Sequence, residues 1–361
     1  MKESGRPRGL VAEEALLQTP LGRTLADRLP VVAIRPRIEP ADYAAHEAGE
    51  LILASHRGSF VKPCPGTRGY VCCGLQIIHF GLGCYLDCSY CILQSYLGTE
   101  ALVLFGNTDR GLAEVREYLR QPLPRPMRFC TGEFTDSLLL EGLTGFGRRL
   151  VEIFADCDHA VLELKTKTTN VSGLLDLEHA GRTIVSFSVN APMVARQEES
   201  KAATLDRRLE AAARVVQKGY RVGFHFDPLI RHPGWREGYG RTVEDIFEAV
   251  PADRIAWISL GAFRYLPRFK TIIKRRHPKS LITEEEFILA PDGKMRYLRP
   301  RRVEMYRHLL STIRQAAPKV CVYLCMESPR VWREVFGFDP GPDGLIHMLD
   351  QQVEDPRGRS T

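Results

Sequence analysis

The stretch Gly81-Leu82-Gly83-Cys84-Tyr85-Leu86-Asp87-Cys88-Ser89-Tyr90-Cys91 follows a β-branched run at 71–80 and places three cysteines, spaced C-x3-C-x2-C, in a glycine-led loop. Three thiolates that close in sequence can face one centre if the loop wraps around it. A zinc ion would want a fourth ligand to complete its tetrahedron, and Cys72, Cys73 or Cys130 stand ready to supply it. A [4Fe–4S] cube normally takes four thiolates, so three local ones leave one iron open to another ligand. Unassociated buried thiols are the third reading.

Outward from this loop the chain alternates. Short apolar, β-branched runs lie at 71–80, 127–131, 160–164, 183–189, 221–226 and 255–260. Amphipathic stretches at 111–121, 138–154, 171–179, 205–218 and 243–250 separate them. In 205–218 the apolar residues Leu205, Leu209, Ala212, Val215 and Val216 recur at helical spacing. Strand and helix repeated six times predict an α/β fold with a parallel sheet and right-handed crossovers. Six units fall short of the eight of a closed barrel, so a partial barrel and a doubly wound sheet both fit. In either, ligands gather at the C-terminal strand ends. Those ends carry Cys84, Thr131-Gly132-Glu133, Lys165-Thr166-Lys167, Ser188 with Asn190, and His225 with Asp227.

The segment 1–68 is rich in Pro, Arg and Glu and reads as an N-terminal extension with little core of its own; 69–267 holds the repeat; 268–361 departs from it. In that last part 287–298 reads as a hairpin turning at Asp292-Gly293, followed by a helix at 303–316, a strand at 320–324 and a frayed end. The whole chain has 361 residues, 44% hydrophobic and 26% charged, which excludes a disordered or fibrous main state. No apolar run reaches the ~20 residues of a membrane span, and the N-terminus lacks a signal-peptide core. The expected setting is the cytoplasm, where thiols stay reduced and ten cysteines point to metal or catalysis.

The formal charge of +6 is uneven. Between 264 and 302 twelve Lys/Arg face four acids, a surplus of eight, so the remainder is slightly acidic. Phe263, Tyr265, Phe269, Phe287 and Tyr297 interleave with these cations. A basic patch with aromatics suggests a nucleic acid; a solvated surface is the alternative.

The cysteine triplet in a six-fold βα repeat resembles the radical S-adenosylmethionine superfamily. Cys88-Ser89-Tyr90-Cys91-Ile92-Leu93-Gln94, Thr135-Asp136, Ser186-Phe187-Ser188-Val189-Asn190, the span from Gly219-Tyr220 to Gly234-Trp235, and Thr19-Pro20-Leu21-Gly22 resemble, in order, the spore photoproduct lyase family. The likeness runs from about residue 12 to residue 325. It implies a partial (β/α)6 TIM-like barrel with N- and C-terminal extensions. It also implies that Cys84, Cys88 and Cys91 hold a [4Fe–4S] cluster whose open iron binds S-adenosyl-L-methionine. One electron from a flavodoxin- or ferredoxin-type donor would then release a 5′-deoxyadenosyl radical that takes hydrogen from a DNA base. A monomer without membrane contact is expected.

The same likeness assigns cofactor contacts to Thr135, Lys167, Ser188 and Asn190, with Lys167 as a point charge for the cofactor carboxylate. Tyr90 would lie near the adenine, and Glu133 near the methionine amine; loop packing and a helix-start carboxylate are the plainer roles. Family members that repair the thymine photodimer carry a cysteine where Thr135-Asp136 aligns Glu133, and a tyrosine where Ile92 stands. A carboxylic O–H is too strong a bond to replace that thiol as hydrogen donor. Cys130 and Cys325 are the candidate substitutes. The hairpin falls where the family prises lesions from the duplex, a task cheaper for a damaged base, with Lys294, Arg296 and Arg299 as phosphate contacts. Two alternatives stay open: radical chemistry on a different substrate, and a metal-stabilised nucleic-acid-binding protein without catalysis.

Overall fold

The computed structural model describes residues 7–354 apart from 48, 68, 98–99 and 123–124; part of the frayed end expected from the sequence lies outside them. All six runs of the repeat form strands of one eight-stranded sheet. Its order is Val322–Leu324, Ile255–Ala262, Arg221–Leu229, Thr183–Ser188, Ala160–Thr166, Met127–Cys130, Gln76–Ile78 and Val61–Pro63. Every pairing is parallel except the last. The two end strands are not bonded to each other, so the curled sheet is a partial barrel with one open side.

Alternation decides which face is which. Phe129, Leu162, Leu164, Val185, Phe187, Phe224 and Leu260 point one way and are buried under the helices. The register aligns Cys130 with Glu163, Ser186 with Gly223 and Trp257, and Ser188 with His225, Ser259 and Tyr323 on the other face. The barrel interior is therefore polar, and its outer layer carries the apolar core. Leu205–Gln217 buries Leu205, Leu209, Ala212 and Val215 against that layer, as its periodicity predicts.

Several expectations change. The 1–68 segment has a packed core: Gly9–Glu13, Val31–Arg35 and Glu50–Ala54 join Leu102–Phe105 and Gly81–Leu82 in a second, five-stranded sheet. Leu10, Val11, Ala12, Leu51, Ile52 and Leu53 are buried there. The 71–80 run yields only Gln76–Ile78 as barrel strand, because Gly74 turns the chain at φ +66°. The 138–154 stretch is two helices, Glu141–Thr144 and Phe146–Ala155, broken at Gly145 with φ +61°. Glu141 caps the second helix, accepting from the Gly147 N–H at 2.7 Å and the Arg148 N–H at 3.0 Å. The 171–179 stretch holds a single 3-10 turn, Ser172–Leu174, burying Val171 and Leu174. The strand at 322–324, expected beyond the barrel, is its seventh parallel strand.

The hairpin forms as expected, with Phe287–Leu289 and Met295–Tyr297 joined by a third strand, Arg264–Tyr265. Among the described residues no helix is long and apolar enough to cross a membrane.

Leu53 is fully buried in the N-terminal sheet. Leu53→Ala is expected to cost about 2–5 kcal/mol in urea unfolding. A loss under about 1 kcal/mol would contradict a packed core in this segment.

Candidate active site

The cysteine loop is fixed at both ends before any ligand is considered. It leaves the strand Gly81–Leu82, which pairs with Leu102–Phe105 of the second sheet so tightly that a Cβ on Gly81 would lie 2.6 Å from the Val103 carbonyl oxygen. Gly83 then turns at φ +91°, a region L side chains avoid, and its N–H donates to the Phe134 carbonyl at 2.9 Å. Asp87, also left-handed, is held by Lys201 at 3.2 Å and Arg276 at 3.3 Å.

The far end is tied to residues 198–199. Cys88 forms an isolated antiparallel bridge with Glu199. The Ser89 N–H donates to the Glu198 carbonyl at 2.9 Å, and the Ser89 and Ser280 hydroxyls both donate to the Glu198 carboxylate. The Tyr90 hydroxyl donates to Glu199, whose other oxygen accepts from Arg208. Burial pushes the Glu199 carboxyl up, but Arg208, Lys167 and Tyr90 outweigh it and hold it below its ordinary range. Arg208 also donates to the Ser188 carbonyl at 2.8 Å, so the loop is bolted to the fourth barrel strand.

Burial pushes all three thiols, Cys84, Cys88 and Cys91, above the ordinary range, and their charges oppose one another. Lys167 favours ionisation of Cys88 and Cys91, Arg276 that of Cys91, and the N–H groups of Leu86, Leu93 and Gln94 point at the sulfurs. Three thiols near enough to oppose one another's ionisation, with no disulfide among them, suit a cationic, thiophilic group that compensates it. The donor set fits an iron–sulfur cluster. Among the described residues, no three His, Cys, Asp or Glu groups converge closely enough for a single ion.

Lys167 lies beside these thiols with its ammonium 5.7 Å from the Tyr90 ring centre. Its backbone is set by Asp136, which accepts from the Lys167 N–H at 2.7 Å, the Thr166 hydroxyl at 2.7 Å and the Leu138 N–H at 3.0 Å. Thr135 adjoins Asp136 and shares a cavity wall with Gly81 and Thr131. Ser188 faces the interior in the row of His225.

Glu133 does not cap a helix. It accepts from the Lys165 ammonium at 2.6 Å, and Gly132 makes room for that lysine, since a Cβ there would meet the Lys165 Cβ at 2.9 Å. Cys130 lies beneath the pair, fully buried, its sulfur accepting from the Gly132 N–H at 3.2 Å. Burial pushes its thiol up, and Lys165 pulls it back. Cys325 lies at the mouth, 3.8 Å from an Arg264 nitrogen.

Two expectations are corrected. Asn190 is spent on the chain: it donates to the Pro228 carbonyl at 3.0 Å and accepts from the Tyr239 hydroxyl at 2.7 Å and the Ala191 N–H at 3.1 Å. The Tyr90 hydroxyl donates to the buried Glu199 carboxylate, which gives this residue a structural role in the loop, while its ring lies beside Lys167. Arg296 is 1% exposed, bound to Asp292 at 2.7 Å and to the Met326 carbonyl at 3.1 Å, with Tyr70 stacked on it; it cannot reach a duplex. Arg299 pairs with Glu334 at 3.3 Å. The basic segment is largely neutralised within the fold, Lys274 by Glu284 and Arg302 by Glu327. The sequence carried no signal for Glu198, Glu199 and Arg208, which form no motif and meet only in space.

The sequence model of the family "Spore photoproduct lyase" matches residues 75–316. Spore photoproduct lyase of Bacillus subtilis (strain 168) is 32% identical over 212 residues, 58% of this chain and 62% of that protein. That of Geobacillus sp. (strain Y412MC61) is 28% identical over 291 residues, 78% of this chain and 85% of the relative. The match thus spans less than two thirds of the Bacillus relative and most of the Geobacillus one. The solved structure "Spore photoproduct lyase complexed with dinucleoside spore photoproduct" superposes with TM-score 0.77 at 24% identity, covering 90% of this chain and 100% of that one. A variant of such a lyase, solved with bound AdoMet and dinucleoside spore photoproduct, gives the same TM-score, 0.77, at 24% identity and the same coverage, 90% and 100%. These two superpositions show a shared fold.

Removing the Glu199 carboxylate strands Arg208 as a buried, unpaired cation. Glu199→Ala is expected to cost about 3–5 kcal/mol in denaturant unfolding and to lower iron retained per chain after reconstitution. Glu199→Gln keeps the Tyr90 contact and is expected to lose less. Unchanged stability and iron content in Glu199→Ala would refute the bolt.

Proposed function

The chain belongs to the spore photoproduct lyase family, and we propose that it is a radical S-adenosylmethionine enzyme acting on a nucleic acid base, a DNA photoproduct first of all. The observation that carries this reading is the placement of three enclosed thiols and Lys167 at the mouth of a polar, open-sided half-barrel. When bound, a [4Fe–4S] cluster and S-adenosylmethionine supply a 5′-deoxyadenosyl radical that takes a hydrogen atom from the substrate.

The chain's own residues prepare that event. Cys84, Cys88 and Cys91 would hold the cluster. Lys167 offers a point charge to the cofactor carboxylate, aimed by the Asp136 contact to its backbone. Ser188 and Thr135, at the strand ends, would contact the cofactor. Tyr90 and Glu199 keep the loop in place. We assign the return of hydrogen to the product to Cys325 at the mouth, with Cys130, fully buried beneath the Glu133–Lys165 pair, as the deeper candidate. Support for a DNA-type substrate comes from the relatives, two of whose solved structures carry a dinucleoside spore photoproduct. We assign it to the cytoplasm as a monomer reduced by a flavodoxin- or ferredoxin-type donor, consistent with ten unbridged cysteines.

A specific observation favours a second reading, the same radical chemistry on a different base or substituent. Glu133 and Lys165 form an ion pair at 2.6 Å where lesion-repairing members place their hydrogen-donor thiol.

Anaerobic reconstitution with iron and sulfide, reduction by dithionite and assay for 5′-deoxyadenosine test the radical reading. Product at least about 100-fold above a Cys88→Ala control is expected, the change of a lost cluster. Product equal to that control, or zinc near one per chain in brownless protein, would sink it. Loss of the dimer from photoproduct-bearing DNA would support lesion repair; 5′-deoxyadenosine with intact dimer would favour the second reading.

A further inference from the structure

The three-stranded sheet has two chemically different faces. Tyr265, Phe287, Met295 and Tyr297 form one, Phe287 stacked on Tyr297 at 4.5 Å and edge-to-face with Tyr265 at 5.0 Å between ring centroids. On the other, Arg264 lies directly opposite Arg296, and Lys294 is two residues along on the same side. This cationic face turns inward to Cys325, Met326 and Tyr70.

The three cations are unequally satisfied. Arg296 is saturated by Asp292, the Met326 carbonyl and Tyr70. Arg264 makes only long contacts: Asp227 at 3.3 and 3.4 Å, the Ala262 carbonyl at 3.3 Å, and the sulfurs of Met326 at 3.4 Å and Cys325 at 3.8 Å. Among the described residues the Lys294 ammonium pairs only with Asp292, at 3.9 Å, and that carboxylate is already engaged by Arg296 at 2.7 Å. The Lys294 and Arg264 side chains are 16% and 14% exposed, too enclosed for water alone to satisfy them. Burial, then the nearby Arg264 charge, holds the Lys294 ammonium below its ordinary range. Arg264 is met by Asp227 and Lys294 by Asp292 only at 3.3–3.9 Å, so both keep donors that a further anion between them can take.

The geometry points to a binding site for one phosphate group between Arg264 and Lys294, at the barrel mouth beside Cys325. Arg264 presents a planar fork and Lys294 a point charge, the complementary donors that phosphate oxygens take. The inference deepens the nucleic acid reading: the contact is with a single phosphate inside the mouth, not with a duplex lying on the outer surface. A phosphodiester of a nucleic acid and a monoester of a free nucleotide share this chemistry.

Isothermal titration of the reconstituted protein with the dinucleoside monophosphate of thymidine, thymidine 5′-monophosphate, inorganic phosphate and thymidine tests it. At least one phosphate-bearing probe is expected to bind ten times or more tighter than thymidine. Lys294→Ala is expected to lose about tenfold or more of that affinity, the worth of one charge-assisted hydrogen bond, and Lys294→Arg to recover most of it. Lys294→Met, which keeps the stem, gives the same readout if Ala loosens the hairpin. Lys279→Ala, at an exposed position, is the control. Preference for the diester assigns a nucleic acid strand; preference for monoester or inorganic phosphate assigns a free nucleotide. Wild-type protein that binds no phosphate probe, or Lys294→Ala that binds them as wild type does, would overturn the site. Assay of 5′-deoxyadenosine on the same preparation reports separately on the radical reading.

Discussion

The buried carboxylate of Glu199 is the constraint on which the site depends. A cluster loop must hold three sulfurs in place while remaining free of regular secondary structure, and loops alone are mobile. Here one oxygen of Glu199 takes the Tyr90 hydroxyl and the other takes Arg208. Arg208 reaches on to the carbonyls of Ser188 and Ala203, and the Cys88–Glu199 bridge adds a backbone tie. A buried ion pair contributes little net stability over an apolar pair, because desolvation offsets the attraction. Its value here is geometric: it specifies one arrangement of loop, helix and strand, and each partner is costly to leave alone.

A second polar network lies deeper in the half-barrel. One oxygen of Glu163 accepts from Ser186 at 2.5 Å and Trp257 at 3.0 Å and lies 2.7 Å from His225, whose other ring nitrogen is 2.6 Å from Ser259. Burial pushes the Glu163 carboxyl up, yet His225, Lys165 and Ser186 bring it well below the ordinary range. Four interior strands are thus cross-linked, in a wall where Cys130 lies level with Glu163 and Lys165 level with Ser186. The interior can be polar because the apolar core has moved to the outer layer under the helices, where Leu162, Leu164, Phe187 and Phe224 are buried.

That division explains what the sequence discloses. Strands such as Ala160–Thr166 alternate between Leu162 or Leu164 and Glu163 or Lys165, so period, direction and strand-end chemistry are readable along the chain. The cysteine triplet is equally local. The N-terminal sheet is hidden because Gly9–Glu13 and Val31–Arg35 sit among prolines and arginines, and their partner Leu102–Phe105 is far along the chain. Asn190 ends a strand, as a ligand would, and only the position of Tyr239 and Pro228 shows its amide to be consumed. Glu198, Glu199 and Arg208 carry no local pattern, since a tertiary clamp has none.

Charge is the property that composition describes least well. The surplus of eight between 264 and 302 suggests an outward basic face. Pairing removes most of it: Arg276 is matched by Asp87 and Glu100, Lys274 by Glu284, Arg299 by Glu334 and Arg302 by Glu327. Glu133 likewise cancels Lys165, so that pair adds no net field to the mouth. Among the described residues of this segment, the cations left without an acidic partner are Arg268, Arg275, Lys279 and Arg301, all exposed, while the strand register turns Lys294 and Arg264 inward beside Asp292 and Asp227. A field focused within low-dielectric walls acts on one anionic group far more strongly than the same charges spread over a wetted surface. The residue count thus merges two kinds of charge, an exposed basic strip open to solvent and an enclosed pair at the mouth, and only the second has the walls that focus a field on a single anionic group.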